Sequence, residues 1–228
     1  MQKSVQRRAI DRLVELAVAG NTLVAERLRD SIASADRRVR WASAYALAQI
    51  GAGAFAMDSA DALAEAMADD DGDIRWAATT LMARLGRENF EDITARLFRL
   101  AAAGERNTRR MALYCIRDLE IAGPELLAVV ANSIHDSDIH VRLAALSVLA
   151  RVRDGSHAAS RIMLECLKSD PDAGVRRAAA SALGNISHID ADVIVALERA
   201  ASDNSDESLA RAARGALNRM EKLRLEKP

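Results

Sequence analysis

The chain has 228 residues, half of them hydrophobic but only 3% aromatic, with 3 prolines and a formal net charge of -1. This alanine- and leucine-rich composition favours closely packed helices. The near-neutral charge by itself indicates neither nucleic acid nor an anionic membrane as a partner. No run is long enough to span a bilayer, and the amphipathic N-terminal segment is unlike a signal peptide. We therefore expect a cytoplasmic protein whose two cysteines, Cys115 and Cys166, are reduced core residues.

One nine-residue helical pattern recurs through the chain. Its five clearest copies share an arginine at the second position, and these arginines are 35, 34, 33 and 34 residues apart: Arg40, Arg75, Arg109, Arg142 and Arg176. Weaker copies lie at 5–13 and 209–217. A constant period of this length is the signature of a repeat architecture, and degenerate terminal copies are expected because end repeats must present one face to water.

Each repeat is predicted to contain two helices. The recurring segment has a helical apolar stripe and is the second helix of its pair, while a polar turn rich in Asp, Ser and Asn precedes it and supplies N-caps. We predict an all-α, α-α superhelix of six to seven two-helix repeats with about thirteen helices, beginning with the second helix of a truncated repeat. It forms one domain over 1–228, with a degenerate repeat at 1–35, regular repeats at 36–202 and a capping helix at 203–228.

The clearest copy carries a family resemblance. Its residues are Asp-Pro-Asp at 170–172, Val-Arg-Arg-Ala-Ala-Ala at 175–180 and Ala-Leu-Gly at 182–184. This sequence resembles the HEAT-like repeat of phycobilisome-lyase (PBS lyase) type proteins. The resemblance covers nearly the whole chain and implies an α-helical solenoid. That repeat occurs in bilin lyases, in HEAT-repeat hydroxylases and in bacterial interaction scaffolds, so it is specific for fold and unspecific for function.

The catalytic signatures of the enzymes that share this architecture are missing. HEAT-repeat di-iron hydroxylases hold metal through His-Glu dipeptides, and the sequence has none. Its four histidines fall in or beside turns without ligand spacing: His135, His140, His157 and His188. HEAT-like DNA glycosylases use a groove carboxylate, for which Asp118 and Glu120 are the nearest candidates. No phosphate-binding loop, CxxC pair or nucleophile elbow occurs. The sequence therefore favours a non-enzymatic role with no metal and no cofactor.

Charge is segregated between the two helices of each repeat. The second helices, predicted at 3–18, 37–51, 73–87, 106–120, 138–153, 172–186 and 205–222, hold 23 of the 32 basic residues and 10 of the 33 acidic ones. In HEAT-type solenoids the second helices line the concave surface, so the resemblance implies a basic groove. The repeated arginine is expected to be structural and to pair with the turn acids in a ladder between repeats: Asp36, Asp73, Asp138 and Asp172.

The aromatic side chains form the other asymmetry. Both tryptophans and both tyrosines fall on second helices, at the third and seventh positions, off the stripe that packs the repeat: Trp41, Tyr45, Trp76 and Tyr114. Arg110 and Arg117 share that face with Tyr114, and Arg177 continues it in a later repeat. Trp, Tyr and Arg dominate binding energies at interfaces. We predict a binding site at these seven residues, against the alternative that the rings only pack the groove.

Three functions compete. The leading one is a scaffold that holds a protein segment or another anionic partner in this basic, aromatic-lined groove. The second is a nucleic-acid-binding protein or a HEAT-like DNA glycosylase, which the pI of about 6.4 disfavours. The third is a bilin lyase or a chaperone of a tetrapyrrole-protein, which follows from the resemblance alone. No membrane association is expected, and the sequence leaves the oligomeric state open.

Overall fold

The computed structural model describes residues 2–50, 59–151, 157–186 and 190–225. In these ranges the regular secondary structure is helical, and thirteen helices follow one another: α1 (Gln2–Val18), α2 (Thr22–Ile32), α3 (Arg37–Ile50), α4 (Ser59–Ala66), α5 (Gly72–Glu88), α6 (Phe90–Ala103), α7 (Arg106–Asp118), α8 (Pro124–Ser133), α9 (Ile139–Leu149), α10 (His157–Ser169), α11 (Ala173–Leu183), α12 (Ala191–Ser202) and α13 (Glu207–Leu225). Six helical pairs follow the single helix α1. The all-α, HEAT-like solenoid fold class and the helix number are confirmed.

The helices group into two compact units, residues 1–119 and 120–228. Within the first unit, α1, α3, α5 and α7 contact one another in succession, and α2, α4 and α6 pack beside them. The core lies between the two layers and contains fully buried leucine and isoleucine side chains such as Leu47, Ile74 and Leu113. Each such side chain stabilises the fold by about 1.5–3 kcal/mol.

The second unit repeats this arrangement with different side chains. Helices α9, α11 and α13 contact one another, and α8, α10 and α12 form the other layer. Alanines dominate the contact between α11 and α13: Ala179, Ala180, Ala213 and Ala216 are all buried. Small side chains allow the helix axes to approach closely. The prediction of a single domain over 1–228, with its internal boundaries, stays a prediction.

The turns before α5, α9 and α11 use two acids for different purposes. In the second unit, Asp170 Oδ1 accepts the N–H of Asp172, and Asp172 Oδ1 in turn accepts the N–H groups of Gly174 and Val175. Asp136 and Asp138 repeat this arrangement at the start of α9. The second acid caps the helix as the sequence predicted. The first acid remains available for a partner outside its own turn.

That partner is the repeated arginine of the preceding repeat. Nε and Nη2 of Arg142 donate to the two carboxylate oxygens of Asp170 at 2.8 and 3.1 Å. In the first unit, Nε and Nη2 of Arg40 donate to Asp69 Oδ2 at 2.9 and 2.7 Å. In both cases Nη1 donates to a carbonyl of the arginine's own turn, Ser34 and Asp136 respectively. The expected ladder between repeats therefore exists.

Its acids, however, are not the expected ones. The sequence assigned the pairing to Asp36, Asp73, Asp138 and Asp172, whereas Arg40, Arg142 and Arg176 reach Asp69, Asp170 and Asp206 of the following repeat. The physical reason is that Asp36, Asp138 and Asp172 turn their carboxylates onto the first N–H groups of their own helices. Asp73 already lies within α5.

Candidate functional site

Trp76 is the most exposed of the predicted aromatic anchors that the structure describes. It lies in the first turn of α5, one residue after the repeated arginine, and 55% of its surface is accessible. Its neighbours on the opposite side of the helix, Ile74 and Ala78, are fully buried in the core. The third repeat position therefore points away from the packing interface, as the apolar stripe predicted.

Tyr114 and Arg117 form a stacked pair on the adjacent helix α7. Both side chains are half-buried, and the Arg117 guanidinium lies 4.9 Å from the centroid of the tyrosine ring. Nε of Arg117 also donates to Asp118 Oδ1 at 2.8 Å. A cation–π contact of this kind holds both groups in one orientation. It presents a flat aromatic and guanidinium surface instead of two mobile side chains.

Arg110 occupies the position on α7 that Trp76 occupies on α5. One of its groups, Nη2, donates to Asn107 Oδ1 at 3.3 Å. Its Nε is buried and has no hydrogen-bond partner. A buried N–H without an acceptor costs about 1–3 kcal/mol, and more on a charged group. Because α5 packs against α7, we group Trp76, Arg110, Tyr114 and Arg117 as the α5–α7 face.

The remaining predicted site residues lie elsewhere. Trp41 and Tyr45 are on α3, which packs against α5. Tyr45 is half-buried, and the side chain of Trp41 lies outside the described residues. Arg177 is exposed on α11 of the second unit. The structure thus groups four of the seven predicted residues on two neighbouring helices, and their assignment as a binding site stays a prediction.

Charge around the α5–α7 face is predominantly positive. Helix α7 carries four arginines and a single acid, Asp118. Its partner in the repeat, α6, begins instead with Glu91 and Asp92. With Arg96 and Arg99 included, α6 is balanced in charge, so the basic excess of this repeat lies on α7. That the second helices line a concave surface stays a prediction from the resemblance.

The second unit contains a cleft beside its ladder. A cavity of about 390 Å³ lies between the two successive turns that hold Asp136 and Asp170, and Arg142 and Cys166 also line it. The strongest charges there neutralise each other, because Arg142 and Asp170 are paired and both are almost fully buried. This hydrogen-bonded pairing raises the pKa of Arg142 above its ordinary value. Glu165, which also lines the cleft, is about half exposed and faces His135.

The candidates for metal binding and catalysis are dispersed. Across the described ranges, no group of three or more His, Cys, Asp and Glu side chains could hold a metal ion. His135 faces Glu165 at 3.6 Å and His157 faces Asp190 at 3.0 Å, both at the surface, and His188 lies outside the described residues.

The two glycosylase-type carboxylate candidates are also accounted for. Asp118 accepts the hydrogen bond of Arg117, and Glu120 is an exposed residue with a φ of 52° in the turn after α7. Neither carboxylate has the buried, catalytic setting expected of a general acid or base. Within the ranges that the structure describes, no helix is long and apolar enough to cross a membrane.

Comparisons with known families agree with the ladder and the helical pairs. The HEAT repeat family matches residues 93–184, and the PBS lyase HEAT-like repeat matches residues 39–69 and 175–203. The chain is a HEAT-repeat protein. The first match to the PBS lyase repeat includes the ladder arginine Arg40 and ends at the turn acid Asp69. The second includes the ladder arginine Arg176 and ends at Asp203, the C-cap residue of α12.

Solved structures show the same fold at low sequence identity. YibA of E. coli aligns with 96% of this HEAT-repeat chain and 77% of its own at 17% identity and a TM-score of 0.65. The archaeal HEAT-like repeats protein from Thermococcus onnurineus NA1 aligns over 98% of both chains at 11% identity and a TM-score of 0.57. Importin beta aligns with 90% of this chain and 31% of its own at 18% identity and a TM-score of 0.66. A search of the curated proteins found no match.

Proposed function

We propose that this HEAT-repeat protein is a non-enzymatic binding scaffold whose α5–α7 face holds an acidic segment of a protein partner. The observation that carries the proposal is the exposed ring of Trp76 on α5, which packs against α7, the helix that carries the stacked pair of Tyr114 and Arg117. The exposed part of Trp76 contributes no apolar burial to the fold. At an interface the same ring buries a large apolar area at low entropic cost.

Charge complementarity selects the partner. Helix α7, which packs against the helix of Trp76, carries four arginines, and Arg110 retains a buried N–H with no acceptor. A partner that brings carboxylates would pair with guanidinium groups of α7 and would be drawn in by the local positive potential. An apolar side chain between those carboxylates would cover the indole. The expected ligand is therefore an extended or helical segment that mixes Asp or Glu with large apolar residues.

The test compares two exposed aromatic residues of the same unit. A display library of random dodecapeptides is selected against the full chain, and the affinities of enriched peptides are measured for the wild type, Trp76→Ala and Phe90→Ala. Phe90 is 47% exposed but begins α6, in the other layer. We expect Trp76→Ala to weaken binding about tenfold or more, which corresponds to at least about 1.4 kcal/mol. Phe90→Ala should leave the affinity unchanged.

The melting temperature of the same variants distinguishes binding from packing. If Trp76→Ala lowers stability as much as affinity, the ring is structural and the proposal is wrong. A single-stranded oligonucleotide that binds through Trp76 with a steep salt dependence would replace the protein partner with a nucleic acid. A linear tetrapyrrole that binds in a Trp76-dependent way would instead favour the bilin interpretation.

A further inference from the structure

Each arginine–aspartate pair between successive repeats is one rung of the ladder, and one rung lacks its acid. Arg142 pairs with an aspartate 28 residues later in the chain, and that aspartate lies six residues before the next ladder arginine, Arg176. The equivalent position for Arg75 is residue 103, which also lies six residues before Arg109. Residue 103 is the exposed Ala103, the last residue of α6. The rung has its arginine but no carboxylate at this position; Glu105, which follows Arg75 at the spacing by which Asp206 follows Arg176, is exposed and forms no ion pair with Arg75 among the described residues.

The surrounding backbone keeps the ladder geometry in spite of this missing acid. Nη1 of Arg75 donates to the Asp69 carbonyl at 2.6 Å, as the other ladder arginines do within their own turns. Nη1 of Arg109 likewise donates to the Gly104 carbonyl at 2.9 Å. The side-chain amide of Asn107 donates to the Ala68 carbonyl at 3.4 Å, which joins the two successive turns. The two turns are therefore adjacent, and only the carboxylate side chain is missing between them.

Two donor groups of Arg75, Nε and Nη2, consequently lack the carboxylate that Arg40 and Arg142 bind. In Arg40 and Arg142, Nε and Nη2 bind the aspartate of the next repeat. In Arg75, the described residues supply no acceptor for either group. The side chain is half-buried, so solvation of these donors is restricted. A fork of two parallel N–H groups matches a carboxylate in bidentate geometry.

We propose that Arg75 is a carboxylate-binding site, which takes from the partner the aspartate or glutamate that Ala103 does not supply. This deepens the proposed function and rests on it. Arg75 directly precedes Trp76, so a segment that covers the indole passes beside the vacant rung. The filled rungs show that the space between successive turns accommodates an aspartate carboxylate. The partner's acid would complete the ladder in the same way.

The decisive variant supplies the missing acid from within the chain. Ala103→Asp should fill the rung and compete with the acidic peptides selected above. We expect their affinity to fall about tenfold or more, as for the loss of a hydrogen bond to a charged group. Ala102→Asp is the matched control, because it adds the same charge to an exposed neighbouring position of α6 outside the rung. Its effect should be less than about threefold, the general repulsion of an added surface charge.

A second variant separates direct pairing from repulsion. Arg75→Ala should weaken the same peptides to a similar extent, and Ala103→Asp should have no further effect in the Arg75→Ala background, since both changes remove one interaction. Equal effects of Ala103→Asp and Ala102→Asp would overturn the proposal. Peptides that require Trp76 but lack acidic residues would overturn it and leave the scaffold intact. If no selected peptide requires Trp76, both proposals fail.

Discussion

The two units use the same helical pair and the same capping turn, but they treat the repeated arginine differently. In the second unit Arg142 is enclosed in a bidentate pair with Asp170 beside the cavity. In the first unit Arg40 is paired with Asp69, but Arg75 is not paired with any acid in the ranges that the structure describes. In the second unit the ladder arginine Arg142 therefore stabilises the fold. In the first unit the guanidinium group of Arg75, which directly precedes the exposed Trp76, remains without an acid partner among the described residues.

If Arg75 binds a partner's carboxylate as proposed, this difference gives a repeat protein a site without a change of fold. A single difference in the turn, Ala103 where three other repeats have Asp69, Asp136 and Asp170, leaves the helices in place and frees one donor pair. Because each repeat contacts only its neighbours, the cost of such a change stays local.

The largest expected effect comes from breaking the filled rung. Arg142→Ala leaves Asp170 buried without its counter-charge, and a buried charge that loses its partner costs about 3–5 kcal/mol. Arg75→Ala removes only a hydrogen bond to a carbonyl, which contributes about 1 kcal/mol. Urea unfolding followed by helical circular dichroism measures both losses. The exposed Arg151→Ala is the control, and similar losses at Arg142 and Arg75 would contradict the difference between the rungs.

A smaller effect is expected at two glycines that occupy tight contacts in the two units. A Cβ at Gly184 would lie 2.7 Å from Ala216 Cα, part of the α13 backbone, whereas a Cβ at Gly86 would meet Leu119 Cδ1 at 2.6 Å. Backbone cannot move without displacing the helix, so Gly184→Ala should cost about 1–3 kcal/mol. The end of a leucine side chain can rotate away, and the helix preference of alanine offsets about 1 kcal/mol in Gly86→Ala.

Thermal unfolding of both alanine variants measures this contrast. Gly184→Ala should melt at a clearly lower temperature than the wild type, and Gly86→Ala close to it. The reverse order would show that the small-residue contact between α11 and α13 is more adaptable than its alanine packing indicates.

The sequence predicted the fold because the repeat is periodic at two levels. The apolar stripe defines each second helix, and the Asp or Ser before it defines where that helix begins, so the bounds of α5 and α11 agree with the predicted segments within one to three residues. Pro124 begins α8 as expected, and Gly123 precedes it with a φ of 117°, which a residue with a side chain rarely adopts.

The candidate site was only partly predictable for a physical reason. Positions three and seven lie off the stripe, which is sufficient to expect an exposed Trp76. The pairing of the arginines depends instead on which of two turn carboxylates faces the helix and which faces the neighbouring repeat. The sequence does not indicate which of Asp69 and Asp71 caps the helix and which pairs with the arginine. Only the three-dimensional arrangement distinguishes them. A signal was nevertheless present, since the Asp-x-Asp motif recurs at 69, 136 and 170 and fails at 103.

The smallest expected effect concerns the two buried thiols, one in each unit. Burial raises the pKa of Cys166 to about 12, and the Asp170 charge acts in the same direction. Burial raises the pKa of Cys115 above its ordinary range, again aided by a carboxylate, Asp118, and Cys115 Sγ donates to the Thr79 carbonyl at 3.3 Å. The thiolate is the reactive form, so both cysteines should react slowly with iodoacetamide near pH 8.

Cys166 lines the cavity of the second unit and Cys115 is buried in the core of the first, so Cys166 should be alkylated first. Mass spectrometry of the peptides over time measures the two rates, and unfolding in urea should make them equal. Faster modification of Cys115 in the folded chain would show that the core of the first unit opens more readily than the cavity of the second admits the reagent.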